Sequence, residues 1–239
     1  MKGEECTLDE LKRFDLQVWQ PRHGYRYSLD PLLLARFCGV VPAGGSIADL
    51  GAGCGIISLV LARLHQAAAV VAVENNPAMA GLIERNSCHN GLGDRVTVCA
   101  EDVLNIRSRF TDSTFDLVVS NPPFRTAGSG KISPRSGRDA ARHETTAGLA
   151  DFIAAAKYLV KPSGRICFIQ LPSRLSEFMA CAVEMKLAVL RIRMIHNTID
   201  APATIFMAEL AKGRRTEPVV GPPLLVRNGE GEYTDEVWR

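Results

Sequence analysis

The chain has 239 residues, enough for one sizeable core and short for two independent ones. Its 46% hydrophobic and 23% charged residues and net charge of +2 are those of an ordinary globular protein. No apolar run reaches the roughly 18 residues that a membrane span needs, and the opening MKGEECTLDELKRF is too charged for a signal peptide, so a cytoplasmic protein is expected. The seven cysteines are scattered without a C-x-x-C pair, and the five histidines lack carboxylate or cysteine partners at ligand spacing. That argues against a metal site and against a disulfide framework.

Residues 1–20 are polar with weak helical periodicity. In SLDPLLLARF, Asp30 suits an N-cap and Pro31 the first helical position, so a helix is expected from about 31 to 40, ended by GVVPAGG. SIADL then reads as a buried strand, GAGCG as a turn and IISLVLARLHQ as a helix; AVVAVEN is a second strand, and NPAMAGLIERNSCHNG the helix after it. RVTVCAED and FDLVVSN are the third and fourth strands. GLADFIAAAKYLVKPSG is a helix stopped by Pro162 and Gly164, followed by the strand RICFIQL and the helix SEFMACAVEMK. AVLRIRMIHN and ATIFMAELAK are two strands joined by a turn at TIDAPA, and residues 214–239, rich in Pro and Gly, are a tail expected along the surface. Strands alternating with helices predict an α/β fold with a seven-stranded, mostly parallel sheet, helices on both faces and an antiparallel edge strand. No repeat or linker divides the chain, so residues 1–239 are expected to form a single domain, with residues 1–45 as an N-terminal cap segment.

Chemistry gathers at the strand ends. Gly51, Gly53 and Gly55 let the backbone turn sharply and let a ligand approach closely. The dinucleotide fingerprint G-x-G-x-x-G would need glycine where Ile56 stands, and the leading Asp49 is no part of it. Glu74 ends the second strand, where an acid grips ribose hydroxyls in nucleotide-binding sheets, because a carboxylate accepts two hydrogen bonds from a vicinal diol. Asp102 follows the third strand and also reads as a helix cap; the two roles are compatible. Asn121-Pro122-Pro123-Phe124 follows the fourth strand; alone, Asn-Pro is equally a turn dipeptide. From Arg125 to Arg142 the chain carries Arg125, Lys131, Arg135, Arg138 and Arg142 against one acid, Asp139. That segment, 125–144, is expected to be a mobile basic loop that meets a polyanion such as RNA phosphate, although a solvated loop would look the same.

The pattern D-x-G-x-G-x-G over Asp49–Gly55 resembles motif I of the Rossmann-like class I S-adenosylmethionine (SAM)-dependent methyltransferases, and Asn121–Phe124 resembles the (D/N/S)-P-P-(Y/F/W) motif of those that alkylate an amino nitrogen on a planar group. The resemblance implies SAM as cofactor. Asp49 would help hold its amino group, Glu74 its ribose with Asn75 beside it, and Asp102 its adenine amine. An exocyclic amine is a poor nucleophile because its lone pair is delocalised into the ring. The Asn121 side-chain oxygen and the Pro122 carbonyl would hold its hydrogens and favour a pyramidal nitrogen, two prolines would keep both acceptors aimed, and Phe124 would stack on an extracted base.

GYRYSLDPLLLARF, DLGAGCGIISLVLA, VSNPPF and ARHETTAGLADFI together resemble the bacterial tRNA adenine-N6 methyltransferases that modify valine tRNA beside the anticodon. That similarity implies a tRNA substrate and places Tyr27, Ser28 and Asp30 over the cofactor, although Asp30 as a plain cap explains the same residues. A guanine-N2 rRNA methyltransferase and a protein glutamine N5-methyltransferase acting on a translation factor are the alternatives. Nothing in the sequence calls for a protein partner.

Overall fold

The computed structural model describes residues 6–23, 26–123 and 147–238. Its first elements are strands, although residues 1–20 carry a weak helical periodicity. β1 (Cys6–Leu11) and β2 (Leu16–Pro21) form an antiparallel hairpin around a single turn of tight helix. Leu16, Val18 and Gln20 are buried and Gln17 exposed, a period of two that outweighs the helical hint.

The chain continues through α1 (Asp30–Phe37), β3 (Ser46–Leu50), α2 (Ile56–Leu64), β4 (Ala69–Val73), α3 (Pro77–His89), β5 (Val96–Cys99) and β6 (Phe115–Ser120). It ends with α4 (Leu149–Leu159), β7 (Val160–Gln170), α5 (Leu175–Glu184), β8 (Leu187–His196), β9 (Ala203–Lys212), β10 (Val219–Val220), β11 (Leu224–Leu225) and α6 (Asp235–Trp238). The helix before β7 stops at Leu159, ahead of Pro162 and Gly164, which lie instead inside a strand whose register with β6 shifts between Phe115 and Leu117.

The seven expected strands run β5-β4-β3-β6-β7-β9-β8, with β3 to β7 parallel. β8 and β9 pair antiparallel as expected, but the antiparallel strand is not at the edge: β9 lies between β7 and β8 and opposes both. The hairpin folds back into the gap beside β7, so β8 becomes the outer strand. The tail then extends the sheet, β10 and β11 each pairing parallel to β8, with Leu224 and Val237 buried. It is thus part of the sheet edge as well as a surface segment.

One apolar layer lies under α1, α2 and α3 and the other under α4 and α5, and strand residues alternate between them: Ile47 faces the first, Ala48 the second. β4 and β5 stack on one side of β3 and β6 on the other, so the chain reverses direction at the β3–β6 boundary and leaves a crevice at the carboxyl ends there.

Two asparagines one helical turn apart tie the N-terminal hairpin to that crevice. Asn90 accepts from Gln17 N at 2.8 Å and donates to Gln17 O at 2.7 Å, while Asn86 accepts from Trp19 N at 2.7 Å and donates to Trp19 O at 2.9 Å. The pair imitates the edge of a neighbouring strand, which a two-stranded hairpin needs for stability. Asn86, fully buried, also donates to Cys54 O inside the glycine turn at 2.9 Å. Asn86→Ala strands three backbone groups and is expected to cost roughly 2–4 kcal/mol, read as a lowered denaturation midpoint with unchanged slope. An unchanged midpoint would show that the hairpin docks by apolar contact alone.

Candidate active site

Asp49 and Leu50 end β3, and the chain turns at once through Gly51, Gly53 and Gly55, with φ of +72°, +58° and +87°. A side chain is strained at any of them. Added carbon would also collide at two: a Cβ on Gly51 would lie 3.1 Å from the Phe152 ring, and one on Gly55 3.0 Å from Ile83. Gly53 differs, because nothing lies within 4 Å of its virtual Cβ. Its conformation is demanded by the turn, and the space beside it is open to a ligand.

Glu74, immediately after β4, holds the turn from the other side. Its Oε2 accepts from Gly53 N at 2.8 Å and its Oε1 from Asn76 N at 2.9 Å. The carboxylate is nearly buried, and each oxygen keeps a lone pair for a further donor. Asp102, after β5, accepts from Leu104 N at 2.9 Å through Oδ1, which makes it the cap of the short helix Val103–Ser108. Its Oδ2 takes the Asn75 side-chain amide at 2.9 Å, bridging the ends of β4 and β5.

Gly51, Gly53, Glu74, Asn75, Asp102, Asn121, Pro122 and Pro123 therefore converge on one cavity of about 350 Å³, closed by Phe152, Met79 and Val103. Ser120 explains how the Asn-Pro-Pro segment is anchored. Its buried hydroxyl donates to Leu50 O at 2.8 Å, pinning the end of β6 to the end of β3 just where both chains leave the sheet.

Gly55, Tyr27 and Asp49 stand outside this cavity. Tyr27 is half-buried and absent from the cavity lining; its backbone N donates to Gln20 Oε1 at 3.2 Å, and burial, then the Asp9 carboxylate and the Cys54 thiol, push its phenol up to about 12. Asp49 is wholly buried behind the turn on the α2 side, its Oδ2 accepting from Ser58 N at 3.1 Å and Ser58 Oγ at 2.7 Å. Phe124 and the basic residues Arg125, Lys131, Arg135, Arg138 and Arg142 lie outside the described residues. The residues that sequence reasoning missed are Ser58, Ser120 and Phe152. Ser58 had one available signal, a lone hydroxyl in the otherwise apolar run IISLVLA.

Burial pushes the Asp49 carboxyl up to about 7, against the two Ser58 hydrogen bonds and with Glu74 adding like charge. An unfolded aspartate titrates near 3.9, so between that value and about 7 the folded chain binds more protons than the unfolded one. The contribution is complete below the lower value and lost as pH rises through the upper one. Stability of the free protein is expected to fall by about 1.4 kcal/mol per pH unit in this window. Melting temperatures across it check this, and Asp49→Asn should remove the slope.

The family model described as methyltransferase small domain matches residues 31–177, more than half of the chain. The tRNA1(Val) (adenine(37)-N6)-methyltransferase of Porphyromonas gingivalis is 33% identical over 192 residues, covering 78% of this chain and 74% of that protein. The protein of the same name from Shewanella loihica is 26% identical over 218 residues, 88% of each chain. Among solved structures, a protein from Agrobacterium tumefaciens described as a predicted O-methyltransferase has the same fold, with a TM-score of 0.70 and 24% identity over 87% of this chain and 94% of that one. With its glycine turn, its acids after β4 and β5 and its Asn-Pro-Pro segment on one cavity, the chain belongs to the methyltransferase small domain family, among the tRNA1(Val) (adenine(37)-N6)-methyltransferases.

Proposed function

We propose that this enzyme transfers a methyl group from SAM to the exocyclic N6 of an adenosine in tRNA, the anticodon-loop adenosine of valine tRNA. The observation that carries the reading is that Asn121 and Pro122 share a cavity wall with Gly53 and Glu74, so an amine-holding segment and a nucleoside-holding acid face the same space.

The residues fit the cofactor. Open space at Gly53 admits a ligand against backbone, and the two Glu74 oxygens are already oriented by backbone N–H groups for a ribose diol. Asp49 Oδ1 is buried with no hydrogen-bond partner, as suits a carboxylate awaiting a cationic group. Asp102, steadied by Asn75 and Leu104 N, suits an adenine amine. SAM supplies an electrophilic methyl on a sulfonium, which is a good leaving group.

The chain's own part is to hold the nucleophile. Asn121 Oδ1 and the Pro122 carbonyl accept the two amine hydrogens, which draws the nitrogen lone pair out of conjugation and aligns it. The amine sheds its proton after transfer, so no strong base is required. Phe124 stacks on the extruded base, and Arg125, Lys131, Arg135, Arg138 and Arg142 contact RNA phosphates.

Radiolabelled SAM with unmodified bulk tRNA should yield N6-methyladenosine, mapped to one position of valine tRNA. Label in N2-methylguanosine, or label in protein that survives ribonuclease treatment, would replace this reading with one of the two alternatives.

A further inference from the structure

A second cavity, of about 600 Å³, lies on the α1 side of the sheet and shares no lining residue with the cofactor cavity. Three segments far apart in sequence enclose it: the end of α1, the middle of β8 and the C-terminal α6. Arg36, Arg191 and Arg193 stand in its wall, beside the apolar side chains of Phe37 and Met207.

Two of these arginines are already neutralised. Arg191 Nε donates to the buried carboxylate of Glu209 at 2.6 Å, and its Nη2 donates to Phe37 O. Arg193 Nε donates to Pro222 O at 3.1 Å, and its Nη2 pairs with Glu236. Asp235, also in the wall, is itself engaged. Arg36 differs. Its guanidinium forms no ion pair among the described residues, and its Nε is buried without a hydrogen-bond partner.

The charge that acts on Arg36 has the same sign. Its guanidinium lies 5.3 Å from the centroid of the Phe14 ring, and the neighbouring Arg13 lies 4.9 Å from that of Trp238, at the end of α6. Arg13 is likewise without an ion pair among the described residues. Burial, and then the like charge of Arg13, push the Arg36 guanidinium below its ordinary value. An aromatic ring attracts a cation but supplies no counter-charge. Two mutually repelling guanidiniums at one cavity are therefore best relieved by a dianion.

We propose that Arg13 and Arg36 seat the phosphate of a small phosphate monoester, of nucleoside monophosphate size, whose apolar part lies in the cavity between α1 and α6. A monoester carries close to two negative charges at neutral pH and three terminal oxygens, so one guanidinium can fork it while the second meets the remaining oxygen. A carboxylate or a phosphodiester offers one charge. The volume suits a ligand of this size, and the wall's apolar members suit a ring. The carboxylates of Asp235 and Glu236 in the same wall disfavour a continuous polyanion such as an RNA backbone.

The ³¹P resonance of AMP tests this on the intact enzyme, with S-adenosylhomocysteine saturating the cofactor cavity. AMP should bind saturably, and inorganic phosphate should displace it. 3′,5′-Cyclic AMP, a diester with one charge like an RNA backbone phosphate, should bind at least tenfold more weakly. Arg36→Ala and Arg13→Ala should each weaken AMP about tenfold or more while leaving S-adenosylhomocysteine affinity unchanged. Arg13 is exposed, so its variant keeps the test open even where Arg36→Ala does not fold. If AMP does not bind, binds the variants as tightly as wild type, or binds no better than its cyclic diester, the proposal is overturned. Variants that lose tRNA affinity in an enzyme that ignores AMP would make these arginines an RNA contact instead. The variants localise the AMP, so the result stands even if S-adenosylhomocysteine fails to bind, which would count against the SAM reading alone.

Discussion

Asn121→Ala is expected to lower kcat by about 10²–10³-fold while leaving S-adenosylhomocysteine affinity within about threefold of wild type. In the proposed reaction the side chain is one of two acceptors that hold the amine, and the other, the Pro122 carbonyl, belongs to the backbone and survives the change. Losing one acceptor lets the amino group relax into the plane of the base, where its lone pair is conjugated and misdirected. The residues proposed to hold the cofactor, Gly53, Glu74 and Asp102, follow other strands and are untouched. Ser120 still pins the strand end to Leu50 O, so the segment keeps its place. Asn121→Asp keeps an acceptor at the same reach and should recover part of the rate, a rescue that a purely structural role would not predict. Single-turnover methyl transfer to an unmodified tRNA transcript gives the rate, and calorimetry gives the affinity. A variant that loses cofactor binding and rate in parallel would reassign Asn121 to the cofactor site.

Glu74→Ala should have the second-largest effect and the opposite kinetic signature. It removes the acceptor of two backbone N–H groups, Gly53 N and Asn76 N, and with it both oxygens offered to a diol. S-adenosylhomocysteine binding is expected to weaken by about 10²-fold or more, equivalent to about 3 kcal/mol. The rate at saturating SAM should fall far less, because Asn121 and Pro122 follow β6 and do not depend on this carboxylate. Glu74→Gln separates the two jobs of the residue. Its single oxygen can keep one of the two N–H bonds, while its NH₂ faces the other N–H with no acceptor between them, so about a tenfold loss is expected. Equal affinity for Glu74→Gln and wild type would mean that ligand recognition uses only one carboxylate oxygen.

Much of this site was legible before any tertiary contact was known. Three alternating glycines announce a left-handed turn, and all three have positive φ. Acids and amides at the ends of apolar runs announce ligands at a sheet edge, and Glu74, Asn75, Asp102 and Asn121 do line one cavity. Such signals are local: each depends on a residue's backbone freedom, or on its place at the end of a strand, both of which are written in a few neighbouring positions. The N-terminal hairpin was not legible, because its stabilising partners, Asn86 and Asn90, lie 67 and 73 residues away. Read locally, residues 1–20 are merely polar.

The same distinction explains the two placements that changed. That β8 and β9 pair follows from a short turn between two apolar runs. That β9 slips between β7 and β8 depends on which edge of β7 is open, a property of the assembled sheet. The motif names Asp49 but not its surroundings: period-two alternation turns its side chain to the α2 face, behind the turn, where Ser58 meets it.

By itself, then, the sequence determined the strand–helix alternation, the glycine turn and the identity of the acceptors, since backbone conformation and side-chain chemistry are properties of short segments. Only the tertiary structure decided strand order, the pinning of Ser120 to Leu50 and the burial of Asp49 without a counter-charge. Those depend on which distant segments exclude water from one another, and no short stretch of chain carries that information.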